Sequence, residues 1–311
     1  MLIPVRTTDI RLAARDIKLF ELSPVTESPL PAASAGAHID VELPMGLRQY
    51  SLIVHPGATD NRYVIAVKND IAGRGGSRYM HSSLTVGDVL NVSAPRNHFP
   101  LEESAPYTVL IAGGIGITPI WSMLQRLNAV QNPWHLHYAC RSRDDMAFLD
   151  ALEGRSNVHL HFDNEAGGPL DVASIINNLQ PHSHVYCCGP LPMLDVFDAA
   201  TRHISPDRKH VEYFQAKDAP ATEGGYTICL SRSNLELLVP KGKTILEVLE
   251  QAGVSVESSC TEGTCGACET KVLEGLPDHR DTVLSAARKN SNKTMMICCS
   301  GSKTPILVLD I

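Results

Sequence analysis

The chain has 311 residues, 43% of them hydrophobic and 20% charged, with 34 acidic against 27 basic side chains and a formal charge of -7. That length accommodates two or three domains, and the acidic balance argues against a nucleic-acid binder, which needs a basic face. No apolar run reaches the roughly 20 residues that span a bilayer, and the first twenty residues carry neither a long apolar stretch nor a small-residue cleavage site, so a cytoplasmic protein with no membrane segment is expected.

Residues 1–103 alternate short apolar runs with turn residues, notably at 38–44, 48–54, 62–70 and 89–95. Period-2 alternation, β-branched residues and Gly/Pro punctuation predict an antiparallel β-barrel. Period 2 places Arg48 and Tyr50 on one strand face, with Ser51 next in the chain. A cation for a phosphate beside an aromatic wall suits a flavin. Further on, Gly73-Arg74-Gly75-Gly76-Ser77 is a glycine-rich turn, whose successive N–H groups can nest an anion. Alone, each motif is as readily an ordinary strand or loop; their weight comes from occurring together with the motifs of the other two domains.

Residues 104–216 change character. Apolar strands ending at loops (107–112, 134–140, 158–162, 184–188) alternate with helical stretches at 117–127, 145–154 and 171–179. That pattern predicts a parallel α/β sheet. Gly113, Gly114 and Gly116 lie in a turn between a strand and a helix, where glycines admit a pyrophosphate and the helix start supplies N–H donors. Cys188-Gly189-Pro190 forms a second such turn. In an open α/β sheet, ligands bind at the carboxyl ends of the strands, so the two turns would wall one crevice for a nicotinamide dinucleotide. Arg141-Ser142-Arg143 follows the next strand. Arginines there could grip a 2′-phosphate or could be a solvated helix start, which leaves NADH and NADPH both open.

Residues 217–225 have the Ala/Pro/Gly-rich polar composition of a linker. From Tyr226 a small α+β domain is expected, with a hairpin over 226–240 and a helix from 244 that ends at Gly253. Here Cys260, Cys265 and Cys268 have the spacing C-x4-C-x2-C, and Cys298 lies thirty residues after Cys268. This is the plant-type [2Fe–2S] pattern. Iron takes soft thiolate donors, one loop must present three of them, and Gly263 and Gly266 let the backbone aim N–H groups at the sulfurs. Zinc sites pair their ligands differently, as C-x2-C knuckles or Cys/His mixtures. Cys299 adjoins Cys298; in an extended strand neighbours point opposite ways, so only one ligates. Cys140, Cys187, Cys188 and Cys229 sit in strand-like runs, where buried thiols are the simplest reading.

Taken together, these motifs resemble the phthalate dioxygenase reductase family, which includes vanillate demethylase reductases and belongs to the wider ferredoxin-NADP reductase superfamily. The resemblance covers essentially the whole chain in its domain order: a flavin barrel (1–103), a nicotinamide domain (104–216), a linker (217–225) and a β-grasp ferredoxin (226–311). It implies FMN and usually NADH as cofactors beside the cluster. It implies that Arg48, Tyr50 and Ser51 contact the flavin, that Gly75, Gly76 and Ser77 hold its phosphate, and that Val67 and Lys68 lie along it. It further implies that Thr118 lies close to the flavin ring, that Phe214 covers the ring where nicotinamide enters, and that Cys298 rather than Cys299 is the fourth ligand. Arg141 to Arg143 depart from the acidic residue that some members carry near the ribose.

The implied function is the reductase component of a two-component Rieske-type oxygenase: hydride passes from NAD(P)H to FMN, and single electrons leave through the cluster. A monomer is expected. One rival is an electron carrier or redox sensor without reductase activity, which purified protein lacking flavin and inert to NADH would favour. Another is a reductase for a non-Rieske monooxygenase, such as a diiron hydroxylase or a cytochrome P450; the C-terminal ferredoxin favours the Rieske partner over the diiron one. From Tyr226 onward ten acidic side chains face nine basic ones, so no docking charge stands out.

Overall fold

Two long strands open the chain, ahead of the alternating runs that begin at residue 38. In the computed structural model, which describes residues 2–54 and 61–311, β1 (Ile3–Ala14) and β2 (Ile17–Pro24) pair antiparallel around a turn at Arg15 and Asp16. There follow β3 (His38–Leu43), β4 (Gly46–Ser51), β5 (Tyr63–Lys68), α1 (Gly76–Ser82) and β6 (Val89–Val92). The strands form an antiparallel sheet in the order β4-β3-β6-β1-β2-β5. A bridge between Leu52 and Ile65 joins the strand after β4 to β5, so the sheet closes as the expected barrel. Phe20, Leu22, Ile39, Val41, Ile65 and Met80 fill its interior.

The next layer is parallel. It runs β7 (Thr108–Gly113), a 3-10 turn (Gly114–Gly116), α2 (Ile117–Ala129), β8 (Trp134–Cys140), α3 (Leu149–Leu152), β9 (Val158–Phe162), α4 (Asp163–Ala166), α5 (Val172–Asn177), β10 (His184–Cys188), α6 (Leu191–Ala200) and β11 (Lys209–Glu212). The strand order is β11-β10-β7-β8-β9. Central β7 is buried at every position, which is why it reads as an unbroken apolar run. Asp171 accepts a hydrogen bond from the Ser174 N–H at 2.9 Å and caps α5, a bond worth about 1 kcal/mol.

The expected helix over 145–154 is not formed as such; only Leu149–Leu152 is α-helical, and Asp145 ends a separate 3-10 turn. Phe148 adopts a left-handed backbone (φ 62) and stacks on Trp121 at 4.2 Å between ring centroids. Burying that ring against α2 overrides the local helical period.

Barrel and parallel sheet share one hydrophobic core. Ile17, Leu19, Ile53 and Phe99 from the first join Leu110, Ile117, Trp121, Tyr138 and Tyr186 from the second. Accordingly the chain forms two compact units, Met1–Glu212 and Tyr213–Ile311. The change of strand type near 103 is therefore not a packing boundary.

The second unit holds β12 (Tyr226–Leu230), β13 (Leu235–Val239), α7 (Ile245–Gln251), β14 (Glu269–Glu274), β15 (Pro277–Asp278), α8 (Ala286–Ser291), β16 (Thr294–Met296), β17 (Gly301–Ser302) and β18 (Ile306–Leu309). Its main sheet runs β13-β12-β18-β14-β16, with β12 and β18 parallel. Thr244 and Glu247 form a capping box that starts α7, and Gly253 follows its end at φ 74. The segment read as a linker is built into this unit. Ala221 N–H donates to the Cys299 carbonyl, and Gly225 N–H to that of Val239, each at 2.8 Å. Ala221 is buried. Its polar, Gly-rich composition reflects backbone laid against backbone, not free chain.

Candidate functional site

The flavin motifs converge: Arg48 meets Arg74, 26 residues further along the chain. Register with β3 sets Arg48 opposite Val41 and Tyr50 opposite Ile39. From there the Arg48 guanidinium donates to the Arg74 carbonyl at 3.0 Å and to its neighbour Leu47 at 2.8 Å. Its stem lies over Gly76, where an added Cβ would meet Arg48 Cγ at 2.7 Å. Gly75, at φ +87, turns the chain into α1. Ser77 Oγ accepts from the Asp70 N–H at 3.0 Å, which holds the turn shut. His81 on α1 bonds the Val67 carbonyl at 2.8 Å and so ties the turn to β5. Val67 is buried and Lys68 exposed. Burial pushes the Tyr50 phenol up to about 12, with Arg48 opposing, so it stays neutral and can donate. Ser51 is buried at the end of β4.

The glycines of the nicotinamide half divide into two kinds. A Cβ on Gly116 would lie 2.2 Å from the Cys188 carbonyl oxygen, and one on Gly113 would lie 2.6 Å from Pro190 Cδ. A Cβ on Gly189 would meet Met193 Sδ at 2.8 Å. These three are small because the two turns press on each other. Gly114 differs: φ is +53 and its Cβ position has nothing within 4 Å. Of this group it is the one that leaves backbone open to a ligand. Thr118, buried in the first turn of α2, gives its hydroxyl to the Ile115 carbonyl at 3.0 Å. Arg141 is exposed, whereas Arg143 is paired with Glu153 (2.9 Å) and Glu165 (3.0 Å) and lies over the Phe162 ring. Cys140, Cys187 and Cys188 are buried thiols raised by desolvation, Cys140 to about 11; Cys229 is only half-buried.

Two residues here escape motif reading. Ser122 on α2 accepts from the Val54 N–H at 2.9 Å and donates to the Leu52 carbonyl at 2.7 Å, which stitches the nicotinamide helix to the strand that follows Ser51. Its only signal is a hydroxyl inside an apolar helix. Glu212 pairs in register with Cys188, its Oε2 is sealed without a hydrogen-bond partner, and burial pushes its carboxyl up to about 8. Phe214 belongs to the second unit and is 39% exposed.

In the second unit Cys260, Cys265, Cys268 and Cys298 are all at most 4% exposed. Glu262 and Thr264 N–H groups point at Cys260 Sγ (3.3 and 3.4 Å), and Cys260 N–H at Cys265 Sγ (3.4 Å). Thr261, Gly263 and Gly266 are left-handed, which is how the loop aims these donors inward. Hydrogen bonds from Cys265 and then Cys298 hold the Cys260 thiol well below its usual range, and Cys298 lowers Cys268. Cys298 and Cys299 sit in a turn after β16, not in a strand, so alternation does not separate them. The Cys298 thiol reaches Cys260, Cys268 and its neighbour Cys299, while Cys299 Sγ lies 2.4 Å from where a Gly263 Cβ would be. A cluster takes two thiolates per iron, and paired, soft, N–H-solvated donors fit that demand.

The fold and these sites define a class: an oxidoreductase that joins a nicotinamide-binding domain to a [2Fe–2S] domain. Residues 110–166 match the model of the oxidoreductase NAD-binding domain, and residues 228–302 that of the 2Fe-2S iron-sulfur cluster binding domain. The phenoxybenzoate dioxygenase subunit beta of Ectopseudomonas oleovorans is 50% identical over 311 residues, covering 99% of this chain and 97% of that one. A solved phthalate dioxygenase reductase superposes with a TM-score of 0.73 at 40% identity, over 100% of this chain and 98% of that one. An intact type IV self-sufficient cytochrome P450 monooxygenase gives 0.92 at 38% identity; this chain spans 41% of it. The chain belongs to the phthalate dioxygenase reductase family, and reductases of oxygenase systems are among its members.

Proposed function

We propose that this chain is the NADH-dependent reductase of a Rieske-type oxygenase and that it carries FMN and a plant-type [2Fe–2S] cluster. The observation that carries the reading is the presence, in one chain related to oxygenase reductases end to end, of both the Arg48–Gly76 turn and the four sealed cysteines. The Arg48 guanidinium and the Gly75, Gly76 and Ser77 amides would hold the FMN phosphate, with Tyr50, Ser51, Val67 and Lys68 along the ring system. Cys260, Cys265, Cys268 and Cys298 would hold the cluster. When bound, these groups convert a two-electron hydride into single electrons.

The chain's own residues do the positioning. Gly113, Gly116, Gly189 and Pro190 set the two turns face to face beside Cys188, and Gly114 leaves open backbone for the dinucleotide. Ser122 fixes α2, and with it Thr118, against the strand of Ser51. Phe214 would cover the flavin until nicotinamide arrives. Glu212, neutral at pH 7, can hold a proton beside the reaction without placing a negative charge there. Because Arg143 is already neutralised by two glutamates, a 2′-phosphate would find Arg141 alone, which supports NADH over NADPH.

None of the nine cysteines forms a disulfide, which supports a reducing cytoplasm. Among the described residues no helix is long and apolar enough to cross a membrane. We take the working species as a monomer. A second acceptor class is favoured by one finding, since the same module is fused to a cytochrome P450. The test is to identify the released flavin, add NADH and then NADPH without oxygen, and offer the reduced protein to a Rieske oxygenase and to a P450. FMN, bleaching by NADH and transfer to the Rieske centre are expected. Protein without flavin and inert to NADH would point instead to an electron carrier.

A further inference from the structure

Four histidines on β8 and β9 play no part in this electron path. Alternation puts His135 and His137 on one face of β8 and His159 and His161 on the same face of β9, with His137 opposite His159 in register. The rings of His137 and His159 are 5.6 Å apart at their centroids, and those of His135 and His137 are 4.7 Å apart. Two imidazoles on one zinc ion, with Zn–N of about 2 Å, have centroids about 5 Å apart. His137, His159 and His161 line a cavity of about 310 Å³ completed by Pro169, Leu170, Asp171 and Ile175.

The groups around this cavity are not equally available. Asp171 is engaged as the α5 cap. His161 Nε2 donates to the Gly168 carbonyl at 2.8 Å and lies 3.4 Å from Asp163. His137 Nδ1 is shut off from solvent without a hydrogen-bond partner, which leaves Nε2 as the nitrogen of that ring that a cation can reach. Burial, with His135 and His159 adding to it, pushes His137 down to about 4. It is therefore neutral at pH 7, the form that binds metal.

We propose that His137 and His159 form a cross-strand chelate for a borderline divalent cation, Zn²⁺ being the representative, with water completing its coordination. Among the described residues no third His, Cys, Asp or Glu side chain joins these two in a group that could hold a metal ion. The site thus rests on two imidazoles and has the affinity of a bidentate chelate, below that of a structural zinc site. Imidazole suits Zn, Cu and Ni, which separates these ions from Mg²⁺ and Ca²⁺.

The test dialyses the holoprotein against Zn²⁺ and counts zinc and iron together, with a thermal melt alongside. One zinc per chain with iron retained, and a melt that rises with zinc, is expected. His159→Gln, at an exposed position, and His137→Gln should each weaken uptake by at least about tenfold, since losing even an outer-shell partner costs that much. His203→Gln, on an exposed turn elsewhere, should bind as the wild type. Zinc uptake unchanged in both cavity variants, zinc that rises only as iron falls, or no uptake would each overturn the proposal.

Discussion

Replacing Gly116 by Ala tests whether the two nicotinamide turns are held apart by atoms or by a ligand. The backbone there, φ -61 and ψ -7, suits any residue, so no conformational strain enters. The added Cβ would lie 2.2 Å from the Cys188 oxygen, 2.5 Å from its carbon and 2.8 Å from the Gly189 nitrogen, all backbone atoms that cannot swing away. Ordinary contact begins at 3.4 Å, so going from 2.2 to 3.4 Å the turns must part by about 1.2 Å. Overpacking of this kind costs about 1–3 kcal/mol, or about 2–12 °C in Tm for a unit of this size. A displacement of about 1 Å in a positioning element can slow the chemistry about 100-fold. Anaerobic stopped-flow reduction by NADH reads the second effect and a melt the first. Gly154→Ala is the control: φ is +80 with open space, so about 1–2 kcal/mol of strain arises with no clash, and hydride transfer should be unaffected. A Gly116→Ala protein with wild-type rate and melt would refute the packing argument.

Three further outcomes are expected. Cys268→Ser should lose most of its iron yet still be bleached by NADH at the flavin; undiminished iron would show that this thiol is not a ligand. Arg48→Ala removes a charged donor worth about 1.5–3 kcal/mol, so flavin affinity, followed by the fluorescence of released flavin, should fall at least about tenfold; unchanged affinity would count against the site. Glu212 has its carboxyl raised from 4.5 to about 8 by burial. The folded chain thus keeps the proton longer than the unfolded one, and stability from this group, full below about pH 4.5, falls as pH rises through about 8. Glu212→Gln should flatten that fall in melts across the range, and identical slopes for the two proteins would sink the assignment.

Legibility in the sequence followed how local the physics was. The cluster loop is readable because cluster chemistry dictates a spacing within nine residues, and α7 because its run from Thr244 stops at Gly253 within one local segment. The fold class likewise follows from strand and helix periodicity. By contrast, the meeting of Arg48 with the Gly73–Ser77 turn is a tertiary fact, visible beforehand only as two separate weak motifs. Ser122 and Glu212 matter through partners far away in the sequence, and nothing near them announces it. The 145–154 helix fails because one aromatic, Phe148, gains more by stacking on Trp121 than by completing a turn. The glycines at 113, 116 and 189 were legible as necessary, but their reason is mutual contact.

The core shared between barrel and parallel sheet bears on how such chains can be cut and recombined. Ile17, Leu19, Ile53 and Phe99 would be stripped of their cover by a break near residue 103, and Leu110, Trp121 and Tyr186 with them. Such halves would expose matching apolar faces and aggregate. A break after Glu212 leaves each hydrophobic cluster whole. The interchangeable parts of this protein are therefore two, and a gene fusion or swapped acceptor module that respects residue 212 inherits a working block, whereas one placed at the visible change of strand type does not.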